Sequence, residues 1–372
     1  MPIMLVVMLS SVHSYFVVKL EQPEHVFVPH AAMLTLAAKC RNIEEQFPMQ
    51  SNIDYQFSNN DPEDKFKNLA NFYSVTGGNP LLTGKVLYYE YAKNPTNIGG
   101  IFTASSNNEI IGALGTIGFF FIKNNVIIKA ALLERLLVNF RFWGKEIFPT
   151  LESLVFEKMT VNNEVKFICG LTPKTNPFTI IGYERYDALS TLVLDDIDKF
   201  IFKPSGEINI EFGYSDNIQK LICKISQENP TDYFIFYNQE IANWIADDNP
   251  FIFRKFISFY KADIFVGYAI IRKNKLGDIN IDDIMLSDPT DMNIILPTLI
   301  SFVKKMEAKK IKLFCFNSDN MYLKNLTTYF LESGFQQESF LSPIVTKTVP
   351  NFVLNQRDMV ITGSLSPPYW AS

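Results

Sequence analysis

The sequence predicts a mixed α/β fold made of two tandem domains, each a mixed, mostly antiparallel sheet flanked by helices. Three observations carry this reading. Tyr91, Asn94-Pro95 and Gly112 are answered by Trp244, Asn249-Pro250 and Gly267, and the step from proline to glycine is 17 positions in both stretches. Each stretch then closes on a glycine-aromatic pair, Gly182-Tyr183 and Gly334-Phe335, 70 and 67 positions after its glycine. An offset of about 155 residues between the copies is what a duplicated domain leaves behind. Both copies also run strand hairpin, strand, helix, strand, helix, an order that makes the strands around the first helix parallel neighbours through a right-handed crossover.

Taken along the chain, residues 1–20 are apolar but lack a charged start and a small-residue cleavage site, and His13 interrupts them. A docked strand or helix, or a dispensable extension, is expected there in place of a signal peptide or membrane span. Residues 31–47 have helix composition and end at Pro48. Asp61-Pro62 opens a second helix, EDKFKNLANFYSV, with Phe66, Leu69, Phe72 and Tyr73 at helical spacing. After Pro95, GGIFTASS and EIIGALGTIGFFFI read as a hairpin turning at Asn107-Asn108. A third strand spans Val126 to Val138, followed by helix-like IFPTLESLVFEKM, strand VKFICGLT and a short helix before Gly182. Residues 187–215 read as the first domain's last strands plus the connection. The second copy repeats the pattern from IFRKFISFY to NLTTYFLES, and the tail beyond Phe335 reads as a surface strand with an irregular end. The expected division is a 1–51 extension, a domain over 52–205 and a second over 206–372.

Composition narrows the chemistry. At 372 residues, two cores of ordinary size are possible. A net charge of -5 without basic runs gives no reason to expect nucleic acid. All three histidines lie within the first 30 residues, so neither copy can build a Ser-His-Asp, Cys-His or histidine-zinc site. Cys40, Cys169, Cys223 and Cys315 are widely spaced, as reduced thiols of a cytoplasmic protein would be. The expected partner is a small molecule, with no nucleic acid and no membrane, in a possible homodimer.

One loop looks chemical. Val138 to Leu151, VNFRFWGKEIFPTL, joins a strand to a helix, where unpaired N–H groups at the helix start point at a bound anion. Gly144 permits close backbone approach, and Arg141 and Lys145 add positive charge. The same residues also make an ordinary strand-to-helix turn.

This loop and the element order resemble the GNAT superfamily of acyl-CoA-dependent N-acyltransferases. Val138, Phe142, Gly144, Lys145 and Ile147 match that family's coenzyme loop, Gly182-Tyr183 matches its closing pair, and Tyr91 to Pro95 is similar to a variant in two-domain members. The resemblance covers roughly residues 52 to 345. It implies an acyltransferase passing an acetyl or other acyl group from acyl-CoA to an amine of a small metabolite or sugar nucleotide. Leu136, Val138, Arg141, Trp143, Gly144, Lys145, Glu146, Ile147 and Phe148 would then hold acetyl-CoA or another acyl-CoA. Glu134 shares strand parity with Leu132, Leu136 and Val138 and would be the general base, with Tyr183 or Tyr186 as the acid. No metal is implied.

The departures suggest an alternative, a catalytically degenerate GNAT-fold binding or scaffold protein. Phe140 replaces the family's proline, Trp143 a basic residue and Glu146 a glycine, and Phe178 stands where a tyrosine often protonates the leaving thiolate. A third reading, transfer from aminoacyl-tRNA, lacks the basic groove it needs. The second copy's loop, Leu286 to Ile295, has no glycine or basic residue, and Asp288 and Asp291 would repel a diphosphate. That copy is expected not to bind coenzyme and to complete the acceptor cleft. Asp282 and Asp283 are adjacent on a strand, are expected to point to opposite faces, and so are not read as a metal pair.

Overall fold

The computed structural model describes residues 3–8, 15–20 and 53–360, apart from short stretches at 173–174, 201–202, 205, 317–320 and 356–357. The opening residues form strands β1 (Ile3–Met8) and β2 (Tyr15–Leu20), paired antiparallel in a sheet of their own. The helix expected over 31–47 lies outside the described residues.

The first copy begins with β3 (Ile53–Ser58), helix α1 (Glu63–Gly77) and helix α2 (Gly84–Ala92). Phe66, Leu69, Phe72 and Tyr73 are the buried face of α1, as their spacing predicts. Strand β3 and helix α2 were not anticipated: α2 is nine residues long and its interior alternates Tyr, Glu and Tyr, which blurs the apolar stripe. The hairpin follows as β4 (Gly100–Ser106) and β5 (Glu109–Lys123), then β6 (Val126–Val138). Asn107 and Asn108 both carry positive φ, 51° and 64°, as the two-residue turn requires, and Asn124-Asn125 repeats the device between β5 and β6. Helix α3 (Ile147–Glu157), β7 (Phe167–Leu171), α4 (Asn176–Ile180) and β8 (Glu184–Leu194) complete the copy.

In the second copy come β9 (Ile208–Phe212), α5 (Asp216–Glu228), β10 (Tyr233–Phe236) and the short α6 (Gln239–Ala242). Then follow β11 (Phe253–Lys261), β12 (Ile264–Lys273), β13 (Ile279–Leu286), α7 (Met292–Lys305), β14 (Ile311–Phe316), α8 (Met321–Glu332) and β15 (Gln336–Thr348). A two-residue strand, β16 (Met359–Val360), closes the described chain.

The strands join into one 14-stranded sheet because the copies exchange their last strands. Strand β8 pairs with β14 of the second copy, β15 pairs with β7 of the first, and β8 and β15 pair with each other. This corrects two expectations. Residues 189–194 pair with β14 of the second copy, and the tail strand is interior, with Ile344 and Val345 buried between its neighbours. Ile197–Lys199 forms a 3-10 turn, and β9 opens the second copy by pairing with β11, as β3 pairs with β4.

Three buried clusters result. One lies on the α3 face of the first copy and one on the α7 face of the second. The largest fills the space between the copies and contains residues of α1, α2, β5, β6, α5, β10, β11, β12 and β13.

Candidate functional site

Strand β6 is the element on which the site depends. It pairs with β7 in parallel from Ala130 to Leu133 and then leaves it, while continuing along β5 to Val138. Strand β7 ends one residue past this ladder, at Leu171, so β6 runs on beyond its parallel partner toward the loop that leads into α3. The end of the parallel ladder coincides with an irregularity in the β5 ladder, where Ala113 faces Leu137 but Gly115 already faces Glu134. Arg135 sits in the left-handed region at φ 57°. A bulge of this kind inserts one residue and swaps the faces of all that follow. Hence Leu132 and Leu137 pack into the inter-copy cluster, whereas Leu133, Leu136 and Val138 pack on the α3 face. Glu134 keeps the face of Leu132 as expected, but Leu136 and Val138 do not share it.

Both bulge residues face the inter-copy side. Tyr91 of α2 donates its hydroxyl to Glu134 Oε1 at 2.9 Å. Arg135 grips Glu90, also of α2, through Nη2 at 2.5 Å and Nε at 3.3 Å, and its Nε lies 3.9 Å from Glu134 Oε2. Tyr73 of α1 donates to the carbonyl of Arg135. Two helices thus pin a strained backbone residue. Glu134 is buried at 5% exposure, and its Oε2 makes no hydrogen bond. Burial, with the Glu90 carboxylate opposing it, pushes Glu134 up to about 8. Sequence reasoning found Glu134 and missed Glu90, Arg135 and Tyr73; a glutamate among the apolar residues of α2 was the available signal.

The second copy has the same bulge with different chemistry. The β12–β13 register slips at Ile270/Ile271, so Ile281 and Ile284 share one face. Asp282 and Asp283 between them both face the other, contrary to simple strand alternation. Asp282 is bound by Arg272 at 2.8 and 2.9 Å and by Arg254 at 2.8 Å, while Asp283 accepts from Tyr237 and Tyr268 at 3.1 and 3.0 Å. Two guanidiniums occupy the first carboxylate and two phenols the second. Burial raises Asp283 to about 6.

At the coenzyme-like loop, Asn139 Oδ1 caps a 3-10 turn over Phe140–Phe142 by accepting from Arg141 N at 3.1 Å. Gly144 has φ 79° and Glu146 φ 58°, so the loop keeps a left-handed turn where glycine has become glutamate. The N–H groups of Trp143 and Lys145 are spent inside the loop on Phe140 O and Phe142 O, both at 3.3 Å. Asn139 N bonds to Ile111 O on the β5 side. Val138 O therefore points to the open edge, and there Trp143 Nε1 covers it at 3.0 Å. Arg141, Gly144, Lys145 and Glu146 are exposed, Phe148 is half-buried, and Ile147 is buried against Gly112, on which a Cβ would lie 2.9 Å from the isoleucine. Phe148 meets Phe178 of α4 edge-on at 5.2 Å, bridging α3 and α4.

Tyr183 lies on the α3 face, against Phe178 at 5.5 Å, with Lys347 of β15 over its ring at 5.3 Å. Burial, with the Glu152 carboxylate nearby, holds its phenol well above the ordinary value. The structure thus places Glu134 and Tyr183 on opposite faces of the sheet. Tyr186, the third residue of β8, packs on the inter-copy cluster. Buried Cys169 is pushed up to about 12 and is chemically quiet. In the second copy's loop, Asp288 accepts from Thr290 and Asp291 pairs with Lys261.

No protein-family model matches the sequence, and no curated protein does. Solved structures match it across both copies. A conserved protein of unknown function from Enterococcus faecalis, described as a probable N-acyltransferase, superposes with TM-score 0.60 at 8% identity over 80% of this chain and 73% of its own. The fold is that of the GNAT superfamily, in two tandem copies. A tandem GNAT protein from the clavulanic acid biosynthesis pathway superposes with TM-score 0.52 at 10% identity, over 80% of this chain and 98% of its own. The N-myristoyltransferase of Saccharomyces cerevisiae, solved with bound myristoyl-CoA, gives 0.53 at 8% identity over 81% and 79%.

Proposed function

We propose that the first copy binds an acyl-CoA and passes its acyl group to the amine of a small metabolite or sugar nucleotide, in the cytoplasm. The observation that carries this is that β6 outruns its parallel ladder with β7 at Leu133 and leads through residues 139–146 into the start of α3. Backbone groups along Leu136 to Val138 would line the pantetheine arm. Gly144 to Phe148 would face the diphosphate, with Arg141 and Lys145 supplying charge. The acceptor nitrogen attacks the thioester carbonyl, Glu134 takes its proton through Oε2, and the sulfur leaves with the electron pair of the broken C–S bond. Tyr183, on the α3 face, is the group that would return a proton to that sulfur. A base titrating near 8 suits this task. The acyl donor stays with its CoA until transfer, and no covalent enzyme intermediate is needed.

A second reading has an observation of its own. The Trp143 indole occupies Val138 O, and Glu146 sets a carboxylate at the start of α3, which suits the helix dipole but opposes a diphosphate. On this reading the fold is a binding or scaffold module without catalysis. Calorimetry with acetyl-CoA and with CoA separates the two. Saturable binding is expected of the natural chain, and none at millimolar ligand would end the enzyme reading. If Trp143→Arg with Glu146→Gly creates binding absent from the parent, the degenerate reading stands. With turnover in hand, kcat/KM is expected to rise toward about pH 8 and to lose this limb in Glu134→Gln.

A further inference from the structure

At the repeat offset, Tyr89 of α2 is the counterpart of Trp244, and the two meet across the junction of the copies. Tyr89 Oη donates to Trp244 O at 2.8 Å, Trp244 Nε1 donates to Tyr89 O at 3.2 Å, and their rings stack at 6.3 Å. With both polar tips engaged, the rings floor a groove of about 650 Å³ between the copies. That volume is in the range of small-molecule sites. Phe251 stands edge-on to Tyr89 at 5.8 Å and Tyr88 forms the opposite wall.

The charges around this corner are lopsided. Glu63, Glu240 and Asp248 line it, and no ion pair holds any of the three among the described residues, against Lys85 and Lys93. Lys93 has its Nζ 5.4 Å from the Tyr88 ring centre, so one aromatic face already draws a cation. Helix α2 divides this groove from Glu134, since Glu90 and Tyr91 turn inward while Lys85, Tyr88 and Tyr89 line the groove.

We propose that this groove is a second binding site, for a small organic ammonium ion with a flat apolar body. The body would lie against Tyr89 and Phe251, and the nitrogen would sit between the rings and the carboxylates of Glu240 and Asp248. An anion would meet three carboxylates against two lysines, and a neutral apolar ligand would leave the carboxylates unused. The inference rests on no part of the acyl-transfer reading.

The test is calorimetry of the full chain with 2-phenylethylammonium and, as the uncharged counterpart, 2-phenylethanol. Saturable binding of the ammonium compound is expected, weakened by salt. Glu240→Gln with Asp248→Asn is expected to weaken it by about fivefold or more, and both positions are exposed, so the fold should survive. Phe251→Leu keeps most of the apolar volume but removes the ring, and should weaken the ammonium compound. Equal binding of the alcohol, an unchanged affinity in the double variant, or no saturable binding of the ammonium compound would each overturn the proposal.

Discussion

Replacing Glu134 by glutamine probes the proton balance of the buried cluster. Two carboxylates, Glu90 and Glu134, share one guanidinium, Arg135, whose bidentate grip goes to Glu90. One negative charge is left over at a buried position, so the pair holds a proton and Glu134 titrates at about 8. A glutamate in the unfolded chain titrates near ~4.3. Between those values the folded state binds a proton that the unfolded state has lost, so stability falls as pH rises through the window and levels off above it. From about pH 5 to 8 a lone group of this kind removes at most ~4 kcal/mol, and sharing the proton with Glu90 brings the figure to the order of 2–3 kcal/mol. Glutamine cannot titrate and still accepts from Tyr91. Urea denaturation of both proteins across that range is the assay: the natural chain should lose stability steadily while Glu134→Gln holds much flatter. Parallel curves would mean that Glu134 is ionised throughout, and the charge count given for the cluster would be wrong.

Other outcomes follow from the same geometry. A Cβ on Gly115 would overlap the Tyr91 hydroxyl, so Gly115→Ala should break the Tyr91–Glu134 bond and cost about 1–3 kcal/mol in thermal or urea denaturation. Tyr89→Phe removes one of the reciprocal bonds across the junction and should cost about 1 kcal/mol, while Trp244→Phe removes the other and also empties part of a core position, and should cost about 2–3 kcal/mol. Their double-mutant cycle should show coupling of about 0.5 kcal/mol or more, because each ring positions the other's donor. Strict additivity would separate the two bonds.

Much of the scaffold was legible because it is written in local rules. The Asn107-Asn108 pair announced the first hairpin, the Phe66 to Tyr73 spacing announced α1, and the repeated Asn-Pro and glycine positions announced two copies. Even the offset held more than was read from it: aligned on Asn94 and Asn249, Trp244 answers Tyr89 and not Tyr91. What escaped is non-local. Strand exchange leaves no signature in β8 or β15, since a strand reads the same whichever neighbour it meets. The bulges escaped because alternation assumes an unbroken ladder, and one inserted residue at Arg135, or at Asp282, reverses every inference made beyond it. For the site, Glu134 and the Val138 to Phe148 loop were visible as types and spacing. The cover that Trp143 gives Val138 and the partners of Arg135 depend on a fold in which α1 and α2 return over β6.

The exchange of β8 and β15 has a consequence for how the chain is made. The first copy borrows its neighbour for β7 from residues 344–348, near the far end of the sequence. On the ribosome, residues 53–194 would therefore emerge with the β7 edge bare, and it would stay bare until the second copy was almost finished. A two-fold pairing that other proteins reach by meeting a second molecule is here reached by waiting for the rest of the same one. The part of the molecule built first is the part completed last.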